Sequence, residues 1–360
     1  MFNKVIKGIV PLDIKAMEES KERVDSLAKP LGSLGELERL VVKLSGITGK
    51  LFNSIEKKCV IIMSSDNGVV EEGVASAPQY VTLAQTKNFI KGKTGVAVIA
   101  KTNGTELIVV DVGINSDEKI EGVIDRKISK GTRNIFKEPA MEYNDAIKAI
   151  NVGIETVKKA KDDGYKIIGV GEMGIGNTTT SAAVLMALIN CEAEEVVGKG
   201  AGVTKEAFEK KKLVVKTALE INNINKEDPI DIIAKVGGYD IAAMAGVFLG
   251  AAYYRIPVVI DGYISVVAAL IATRLNPLAK EYFIPSHKSE EIGYNIAMKE
   301  LGLNPMLNLG MRLGEGSGCP IAFSVIDFAI SMMNNMATFE EGHIDDSYLD
   351  EVRDEESYIV

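Results

Sequence analysis

Short apolar runs rich in β-branched residues alternate along the chain with longer segments whose apolar positions recur at helical spacing. Short runs without polar alternation are typical of strands buried on both faces of a sheet. The pattern predicts strands at residues 59–63, 107–110, 166–170, 258–260 and 282–284. It predicts helices at residues 82–101, 143–161, 178–190, 205–222 and 241–254. This alternation indicates an α/β fold, with a mostly parallel sheet and helices on both faces.

The first 56 residues differ from the rest of the chain, because only helical spacing occurs there. We predict an N-terminal helical segment at 1–56, a large α/β domain at 57–318 and a C-terminal helix at 319–339. The C-terminal helix is expected to return to the N-terminal segment and form a small helical lobe with it. An acidic tail follows at 340–360. A length of 360 residues suits such a division.

The acidic tail dominates the formal net charge of −9, because it holds nine acids and Arg353 as its one base. The rest of the chain is therefore nearly neutral. It lacks the basic stripe that nucleic-acid binding requires. A content of 46% hydrophobic and 25% charged residues is typical of a globular protein with a large core.

The cysteines Cys59, Cys191 and Cys319 stand at unrelated spacings. Such spacing predicts neither a disulfide framework nor a zinc site, and it indicates a reducing cytoplasm. The N-terminus has no apolar core behind basic residues, so we expect no signal peptide. The most apolar run, residues 241–254, is too short to span a bilayer, so we expect no membrane association.

A small or glycine residue stands beside a polar one at the end of nearly every predicted strand. The groups are Asp66-Asn67-Gly68, Asp111-Val112-Gly113, Gly171-Glu172-Met173-Gly174, Asp261-Gly262, Ser286-His287 and Gly314-Glu315-Gly316. Turns favour such residues anyway, so any one group alone is a weak signal. The carboxyl ends of parallel strands share one edge of the sheet, where open α/β sheets bind ligands. The repetition therefore predicts a ligand cleft at that edge.

Glu315 stands between two glycines, so no neighbouring side chain shields it and the backbone can approach a ligand closely. We predict a strand at 306–313 and a buried helix at 319–336, which puts Glu315 where a strand is followed by a helix. The alternative is a tight turn whose glutamate points into solvent. The other strand ends favour the ligand interpretation.

The run from Gly169 to Thr180 has a G-x-G-x-x-G spacing between a predicted strand and a predicted helix, which suggests dinucleotide binding. No acid ends a second strand at the expected distance, however, and Glu172 inside the glycine run would repel a pyrophosphate. The Asn177-Thr178-Thr179-Thr180 opening of the helix offers caps and free backbone N–H groups, which suit one phosphate. We therefore favour a monophosphate site, with an ordinary capped helix as the alternative.

Other chemistries are poorly represented in the sequence. The histidines are His287 and His343, and no nucleophile elbow, Walker lysine motif, HExxH or CxxC pair occurs. A magnesium site built from Asp66, Asp111 and Asp261 is an alternative, although aspartate at a strand end more often forms a turn. The chemistry that remains is a carboxylate general base with oriented backbone donors.

Several runs resemble, in the same order, those of one enzyme family. They are Lys29-Pro30-Leu31-Gly32-Ser33-Leu34-Gly35, Asp111-Val112-Gly113-Ile114, the run Gly169 to Thr179, Lys235-Val236-Gly237-Gly238-Tyr239-Asp240, Ile260-Asp261-Gly262, Phe283-Ile284-Pro285-Ser286-His287 and Arg312-Leu313-Gly314-Glu315-Gly316-Ser317-Gly318. The family is the nicotinate-nucleotide:dimethylbenzimidazole phosphoribosyltransferases of cobamide lower-ligand synthesis. The resemblance implies a Rossmann-like core, a small helical lobe from both chain ends and a dimer with its sites near the interface.

The resemblance implies transfer of ribose 5-phosphate from nicotinate mononucleotide to 5,6-dimethylbenzimidazole or a related base. The pyridinium leaving group departs neutral, so neither a metal nor a cofactor is expected. Glu315 matches the family's catalytic base, and Glu172 matches a second carboxylate with a supporting role. Arg312 and Lys212 are candidate contacts for the donor. Substrate contacts are expected at Asn67, Ser76, Ala77, Gln85, Gly174, Gly176, Asn177, Thr178, Asp261, Ser286, Arg312, Leu313, Gly314 and Gly316.

Two departures from the family pattern concern the acceptor. The family commonly has Asp-His-Gly where this chain has Asp66-Asn67-Gly68, and many members place a serine where this chain has Ala77. Loss of that hydroxyl would weaken discrimination for the second nitrogen of a benzimidazole. A phenolic acceptor such as p-cresol, used by a hetero-oligomer, is therefore an alternative, and so is a pocket in which Ser76 or a water replaces the hydroxyl.

Two further classes of function stay open. An NAD-dependent oxidoreductase would explain only the Gly169-to-Gly174 spacing. A non-catalytic nucleotide-binding subunit would keep the phosphate site without turnover, although a retained Glu315 is costly to desolvate for a protein that does not use it.

Overall fold

A parallel sheet lies at the centre of the computed structural model, which describes residues 1–355. Within that part of the chain the sheet has six strands, in the order β3-β2-β1-β4-β5-β6. Every pairing between neighbouring strands is parallel. The strands are β1 Lys58–Ser65, β2 Glu106–Gly113, β3 Ile124–Asp125, β4 Ile167–Met173, β5 Val258–Ile260 and β6 Phe283–Pro285. This is the strand order of doubly wound Rossmann-like folds, so the predicted fold class is confirmed.

The helices that accompany the sheet follow the predicted alternation. They are α1 Phe2–Gly8, α4 Val81–Ile90, α5 Gly95–Thr102, α6 Tyr143–Asp162, α7 Asn177–Ile189, α8 Ala193–Val196, α9 Lys205–Ile221, α10 Pro229–Val236, α11 Tyr239–Tyr254, α12 Tyr263–Leu275 and α13 Tyr294–Leu301. Helix α11 contacts β1, β2, β4 and β5 and is buried along most of its length. It also crosses α6 closely, since a Cβ added at Gly153 would lie 2.0 Å from the Ala243 carbonyl oxygen.

Two predicted elements differ from the structure. The helix predicted at 82–101 is two helices, because Gly92 is left-handed with φ +67° and the Thr94 side chain caps α5. The strand predicted at 306–313 is wrong. Only Leu307 in this stretch pairs, in a single bridge with His287, and Leu309 and Leu313 are exposed. Its apolar composition therefore does not reflect burial in the sheet.

The chain divides into two compact units. The first holds Met1–Val10 and Lys57–Ala322, which include the sheet and the helices given above. The second holds Pro11–Glu56 and the chain from Phe323 onward. Helices α2 Ile14–Ser26 and α3 Glu36–Thr48 lie in the second unit, α14 Gly318–Asn335 ends there, and α15 Asp350–Asp354 follows.

The second unit joins the two ends of the chain. The Ala28 N–H donates to the Ala337 carbonyl and the Phe339 N–H to the Ser26 carbonyl, both at 2.9 Å. Leu31, Phe339 and Leu349 form a buried cluster. The predicted acidic tail therefore contributes one buried apolar side chain, Leu349, to this unit. Residues 356–360 of that tail lie outside the described residues.

The order of the sheet reverses between β1 and β4, whose register pairs Met63 with Glu172 and Ser64 with Met173. In doubly wound sheets the chain leaves these two strands in opposite directions, so a crevice opens above their carboxyl ends. Glu172 near the end of β4 is therefore placed at this point. No helix within residues 1–355 is long and apolar enough to cross a membrane.

Candidate active site

A cavity of about 300 Å³ lies over the carboxyl ends of the strands in the first unit. It is lined by most of the residues that the sequence predicts for the site. These are Ser76, Ala77, Gln85, Glu172, Gly174, Gly176, Asn177, Thr178, Asp261, Arg312, Leu313, Gly314 and Glu315. Segments that are far apart in the sequence thus meet at one place, as expected for side chains at the ends of parallel strands.

Three predicted residues lie behind the cavity wall. Asn67 is fully buried, and its side-chain carbonyl accepts from the Thr180 hydroxyl at 3.4 Å. Ser286 is also fully buried; its Oγ lies 3.0 Å from His287 Nδ1. The Gly316 N–H donates to Asp261 Oδ2 at 3.1 Å. These positions support the lining residues from beneath.

The Glu315 carboxylate is held by hydrogen bonds on both of its oxygens. Its Oε2 accepts the backbone N–H of Val96 at 3.1 Å, and its Oε1 accepts from Gln85 Nε2 at 3.2 Å. The side chain of Gln85 is itself oriented, because Asn88 Nδ2 donates to its Oε1 at 2.9 Å. Burial raises the pKa of Glu315, while the bonds from Val96 and Gln85 oppose that rise. The carboxylate is therefore held in one orientation as a hydrogen-bond acceptor.

The loop that carries Glu315 has an unusual backbone. Gly314, Glu315 and Gly316 all have positive φ angles, of 85°, 64° and 84°. Glutamate rarely adopts this conformation, whereas glycine does so readily. The loop also passes directly over β4, since a Cβ at Gly171 would lie 2.5 Å from the Glu315 carbonyl oxygen. Steric limits therefore explain why glycine stands on both sides of Glu315 and in β4 at Gly171.

The same close approach explains the G-x-G-x-x-G spacing. Gly169 and Gly171 lie inside β4 rather than in a phosphate-binding turn. A Cβ at Gly169 would lie 2.5 Å from the Cys319 Cβ. These glycines allow the segment that begins at Gly314 to pack on the strand, so the spacing carries no dinucleotide fingerprint.

Glu172 and Asp240 form a buried pair of carboxylates bridged by one amide. The Nδ2 of Asn177 donates both to Glu172 Oε2 and to Asp240 Oδ2. Burial raises the pKa of Glu172 to about 8 and that of Asp240 to about 6, opposed in both cases by the bond from Asn177. Burial therefore favours the protonated form of Glu172. Its Oε1 also accepts the N–H of Glu315 at 3.2 Å, which joins the two predicted catalytic residues.

Lys211 is a cation of the cavity that the sequence interpretation missed. Its Nζ donates to Thr178 Oγ1 at 2.8 Å and to the Gly198 carbonyl at 3.1 Å. The side chain is only 1% exposed, and burial lowers its pKa to about 8. The candidate Lys212 pairs with Glu209 and is not among the residues that line the cavity.

A signal for Lys211 was present in the sequence. Its spacing from Val214, Val215 and Ala218 is that of one helical stripe, and all four residues are buried. A lysine on the apolar face of an amphipathic helix is more informative than its neighbours in a run of three lysines.

Lys211 lies in a cationic end of the cavity, which Lys199 and Arg312 also line. Arg312 Nη1 donates to the Gly200 carbonyl at 3.3 Å. Helix α7 begins next to this end, with the left-handed Gly176 as its N-cap and no side-chain cap. Asn177 and the threonines therefore do not cap this helix, contrary to the prediction. Glu291 is the acid of this end, and it partly counters the lowered pKa of Lys211.

The cavity thus has carboxylates at one end, three cations at the other, and a mostly apolar wall formed by Val74, Ala75, Ser76, Ala77 and Val81. The N-terminus of α7 lies between the two ends, because Asn177 bonds Glu172 and Thr178 bonds Lys211. Helix N-termini and buried cations favour an anion such as a phosphate. The strand order and this cavity define a Rossmann-like α/β protein with a candidate ligand site at the switch point of the sheet.

Comparisons with known proteins agree with this class. A family model described as a phosphoribosyltransferase matches residues 9–344. A Clostridium perfringens protein named nicotinate-nucleotide–dimethylbenzimidazole phosphoribosyltransferase is 72% identical over 360 residues, which is 100% of both chains. A Clostridium acetobutylicum protein of the same name is 53% identical over 344 residues, covering 96% of this chain and 98% of its own.

Solved structures lead to the same family. CobT from Thermus thermophilus has a TM-score of 0.88 at 32% identity, and the match covers 92% of this chain and 100% of that chain. The chain therefore belongs to the phosphoribosyltransferase family that the model describes, and the resemblance read from its sequence is confirmed.

Proposed function

We propose that this protein transfers ribose 5-phosphate from nicotinate mononucleotide to 5,6-dimethylbenzimidazole or a related lower-ligand base, for cobamide assembly. The names of the relatives at 72% and 53% identity support the substrates. The observation that carries the proposal is Glu315, a buried carboxylate fixed by Val96 and Gln85 inside a cavity whose other end is cationic.

In this reaction Glu315 acts as the general base. It takes the proton of the ring nitrogen that attacks C1′ of the ribose. The electron pair of that N–H bond forms the new bond to C1′, so the second ring nitrogen stays free to accept a hydrogen bond. The bond between C1′ and the pyridinium nitrogen breaks, and its electron pair stays on that nitrogen, so nicotinate leaves with a neutral ring. The raised pKa of Glu315 makes it a stronger base than an exposed glutamate, which suits proton abstraction.

Glu172 supports the base. It holds the Glu315 N–H at 3.2 Å, and burial raises its pKa to about 8, which favours its neutral form. A neutral Glu172 adds no negative charge beside Glu315, which leaves that residue free to ionise. Two carboxylates whose surroundings give them different protonation states are a common acid–base arrangement.

The phosphate of the donor is proposed to bind at the cationic end of the cavity. Lys211 and the N-terminus of α7, which begins after Gly176, provide the charge and the N–H groups that a phosphate requires. Thr178 holds the Lys211 ammonium in place at 2.8 Å. In the proposed binding mode the ribose lies between Lys211 and Glu315.

The acceptor is proposed to lie against the apolar wall. Val74, Ala75, Ala77 and Val81 offer mainly apolar surface, which suits a flat aromatic base. Ala77 lacks a hydroxyl for the second nitrogen, so p-cresol stays a second candidate acceptor, used with a partner subunit. Ser76 also lines the cavity and is a hydroxyl that a benzimidazole could use instead.

The deciding experiment measures turnover of nicotinate mononucleotide with dimethylbenzimidazole and with p-cresol, by mass spectrometry of the ribotide. Glu315→Gln should lower kcat about 1000-fold, because the amide cannot take the proton. Glu194→Gln, which alters an exposed glutamate paired with Lys216, is the control and should leave kcat unchanged.

Each other outcome has a defined meaning. Absence of donor binding would contradict the proposed reaction. Donor binding without turnover on either acceptor would indicate that a partner subunit is required.

We also propose that the chain acts as a dimer in the cytoplasm, either with itself or with a related subunit. Val98 and Leu313 are each 56% exposed, and Leu313 lies against Gly95, one turn before Val98. Adjacent exposed apolar side chains are typical of subunit interfaces. Three free cysteines favour a reducing compartment. Light scattering of the purified chain distinguishes the assemblies. A dimer would indicate pairing of the chain with itself, and a monomer would indicate that the related subunit is required.

A further inference from the structure

We propose that Asp261 is a positioning residue, which holds the loop Gly314-Glu315-Gly316 so that the Glu315 carboxylate stays aimed into the cavity. The inference rests on the proposed role of Glu315 as the general base. It assigns to Asp261 an action through the loop rather than a contact with the donor or the acceptor.

The carboxylate of Asp261 is fully engaged by the backbone that follows Glu315. Its Oδ2 accepts the N–H of Gly316 at 3.1 Å and its Oδ1 accepts the N–H of Gly318 at 2.7 Å. The residue is only 2% exposed. A buried carboxylate that accepts a backbone N–H on each oxygen is already partnered, so a substrate contact is not needed to satisfy it.

Asp261 is itself fixed to the sheet. It follows β5 directly, its N–H donates to Ser265 Oγ at 3.2 Å, and its carbonyl accepts from Ser286 Oγ at 3.4 Å. His287 Nδ1 lies 3.9 Å from Asp261 Oδ1 on the buried side. The position of the carboxylate is thus set by β5 and the two segments next to it.

The loop needs such a support because its backbone is strained. Three consecutive positive φ angles include that of Glu315, a residue that seldom adopts them. Without Asp261, the buried N–H groups of Gly316 and Gly318 would lose the acceptors described above, and an unpaired buried N–H is unfavourable. The loop would then relax to a conformation that aims the Glu315 side chain elsewhere.

Glu172 supports the loop from its other side, since its Oε1 accepts the N–H of Glu315 at 3.2 Å. Carboxylates at the ends of the neighbouring strands β4 and β5 therefore hold two N–H groups of the loop, those of Glu315 and Gly316, and Asp261 also holds the N–H of Gly318 at the start of α14. With its backbone held in this way, the Glu315 carboxylate accepts the bonds from Val96 and Gln85. Loss of one support should misplace the base without removing it.

The test is a double-mutant cycle. Asp261→Asn keeps the size of the side chain but replaces one acceptor oxygen by an NH₂ group. That group faces a backbone N–H and cannot accept its hydrogen bond. It should lower kcat about 30-fold, in line with the loss caused by small misplacements of reacting groups, while KM for each substrate changes less than about threefold. In a Glu315→Gln background the same substitution should change kcat less than about twofold, because no base is left to misplace.

The matched control is Asp111→Asn. Asp111 is also a buried carboxylate at the end of a strand, and its Oδ1 accepts the N–H groups of Gly113 and Ile114 at 3.0 and 2.9 Å. It does not touch the Glu315 loop. We expect this variant to lose thermal stability like Asp261→Asn but to keep wild-type kcat, which separates a loss of positioning from a general loss of stability.

A measurement on the wild-type protein keeps the inference testable if the variant does not fold. Hydrogen exchange by NMR on ¹⁵N-glycine-labelled protein should show slow exchange at Gly316 and Gly318. Rapid exchange at both would overturn the inference.

The remaining outcomes are equally decisive. A wild-type protein that does not bind the donor would refute the proposed reaction and leave the exchange test standing. With an active wild type, a raised KM that persists in the Glu315→Gln background would identify Asp261 as a substrate ligand instead. An unchanged kcat in Asp261→Asn would also overturn the inference.

Discussion

The two ends of the cavity bury charge in different ways. At the carboxylate end, Glu315 and Asp261 accept backbone N–H groups, and one amide bridges Glu172 to Asp240. At the cationic end, Lys211 donates to the neutral Thr178 hydroxyl and the Gly198 carbonyl. Burial disfavours charge at both ends, so it raises the pKa of Glu172 to about 8 and lowers that of Lys211 to about 8.

The difference indicates a separate role for each end. The carboxylate end is already satisfied by the protein, as expected for groups that must keep one geometry during the reaction. The cationic end holds Lys211, Lys199 and Arg312 against Glu291, so a bound phosphate would balance its positive charge. Changes at the first end should therefore act on kcat, and changes at the second on the affinity for the donor.

Removal of the Lys211 charge should cause the largest effect at the cationic end. We expect Lys211→Met to lower kcat/KM for nicotinate mononucleotide about 100-fold, mainly through KM, because a charge-assisted bond to the phosphate is lost. Steady-state kinetics with nicotinate riboside, which has no phosphate, should give equal rates for this variant and the wild type.

The next residue along the helix is a natural control. Lys212 pairs with Glu209 and lies outside the cavity lining, so Lys212→Met should behave like the wild type. Equal losses with both donors in Lys211→Met would mean that Lys211 acts on the structure of α7 rather than on the phosphate.

The pH dependence of donor binding gives a smaller effect. Lys211 has a pKa of about 8 in the free protein, and a phosphate beside it would raise that pKa, since an opposite charge favours the ammonium form. Binding above pH 8 should thus take up a proton, and the affinity should fall by up to about tenfold for each pH unit above that value. Below pH 8 the lysine is already charged, so this contribution is constant.

Calorimetry at about pH 8.5, in two buffers of different ionisation enthalpy, measures the proton uptake. Glu291 faces Lys211, and Lys199 and Arg312 line the same end, while Glu172 at the other end also has a pKa of about 8. The Lys211→Met variant isolates the lysine from these groups. An identical uptake in the variant would assign the proton to another residue.

Much of the carboxylate end could be predicted from the sequence. Glu172 and Asp261 follow from the alternation of strands and helices, because each stands at the carboxyl end of a buried apolar run. Glu315 was singled out by its two glycines, although the strand expected before it does not exist. The glycines were informative because the left-handed backbone at Gly314 and Gly316 favours glycine. This holds whether or not a strand precedes the loop.

Other contacts were beyond the reach of the sequence. The bridge from Asn177 to Asp240 joins the starts of α7 and α11, which meet only after both helices have packed on the sheet. No local pattern encodes such a distance. Lys211 is an intermediate case. Its position on the apolar face of α9 is predictable from the sequence, whereas the approach of α9 to Thr178 is not.

The apolar wall between the two ends should give the smallest effect, because a neutral hydroxyl is changed there rather than a charge. Ala77→Ser adds an oxygen that a second acceptor nitrogen could use. We expect kcat/KM for dimethylbenzimidazole to rise about threefold to tenfold, the value of one neutral hydrogen bond, while p-cresol is unaffected. Competition between the two acceptors for one donor pool measures the ratio directly.

Ser76→Ala is the matched variant for the wall, since both residues line the cavity. If Ser76 already bonds the second nitrogen, its removal lowers turnover of dimethylbenzimidazole and Ala77→Ser restores it. If neither variant changes the ratio of turnover with the two acceptors, the apolar wall does not bind the second nitrogen. Selectivity must then come from Gln85 and Glu315. The carboxylate end would then choose the acceptor as well as activate it.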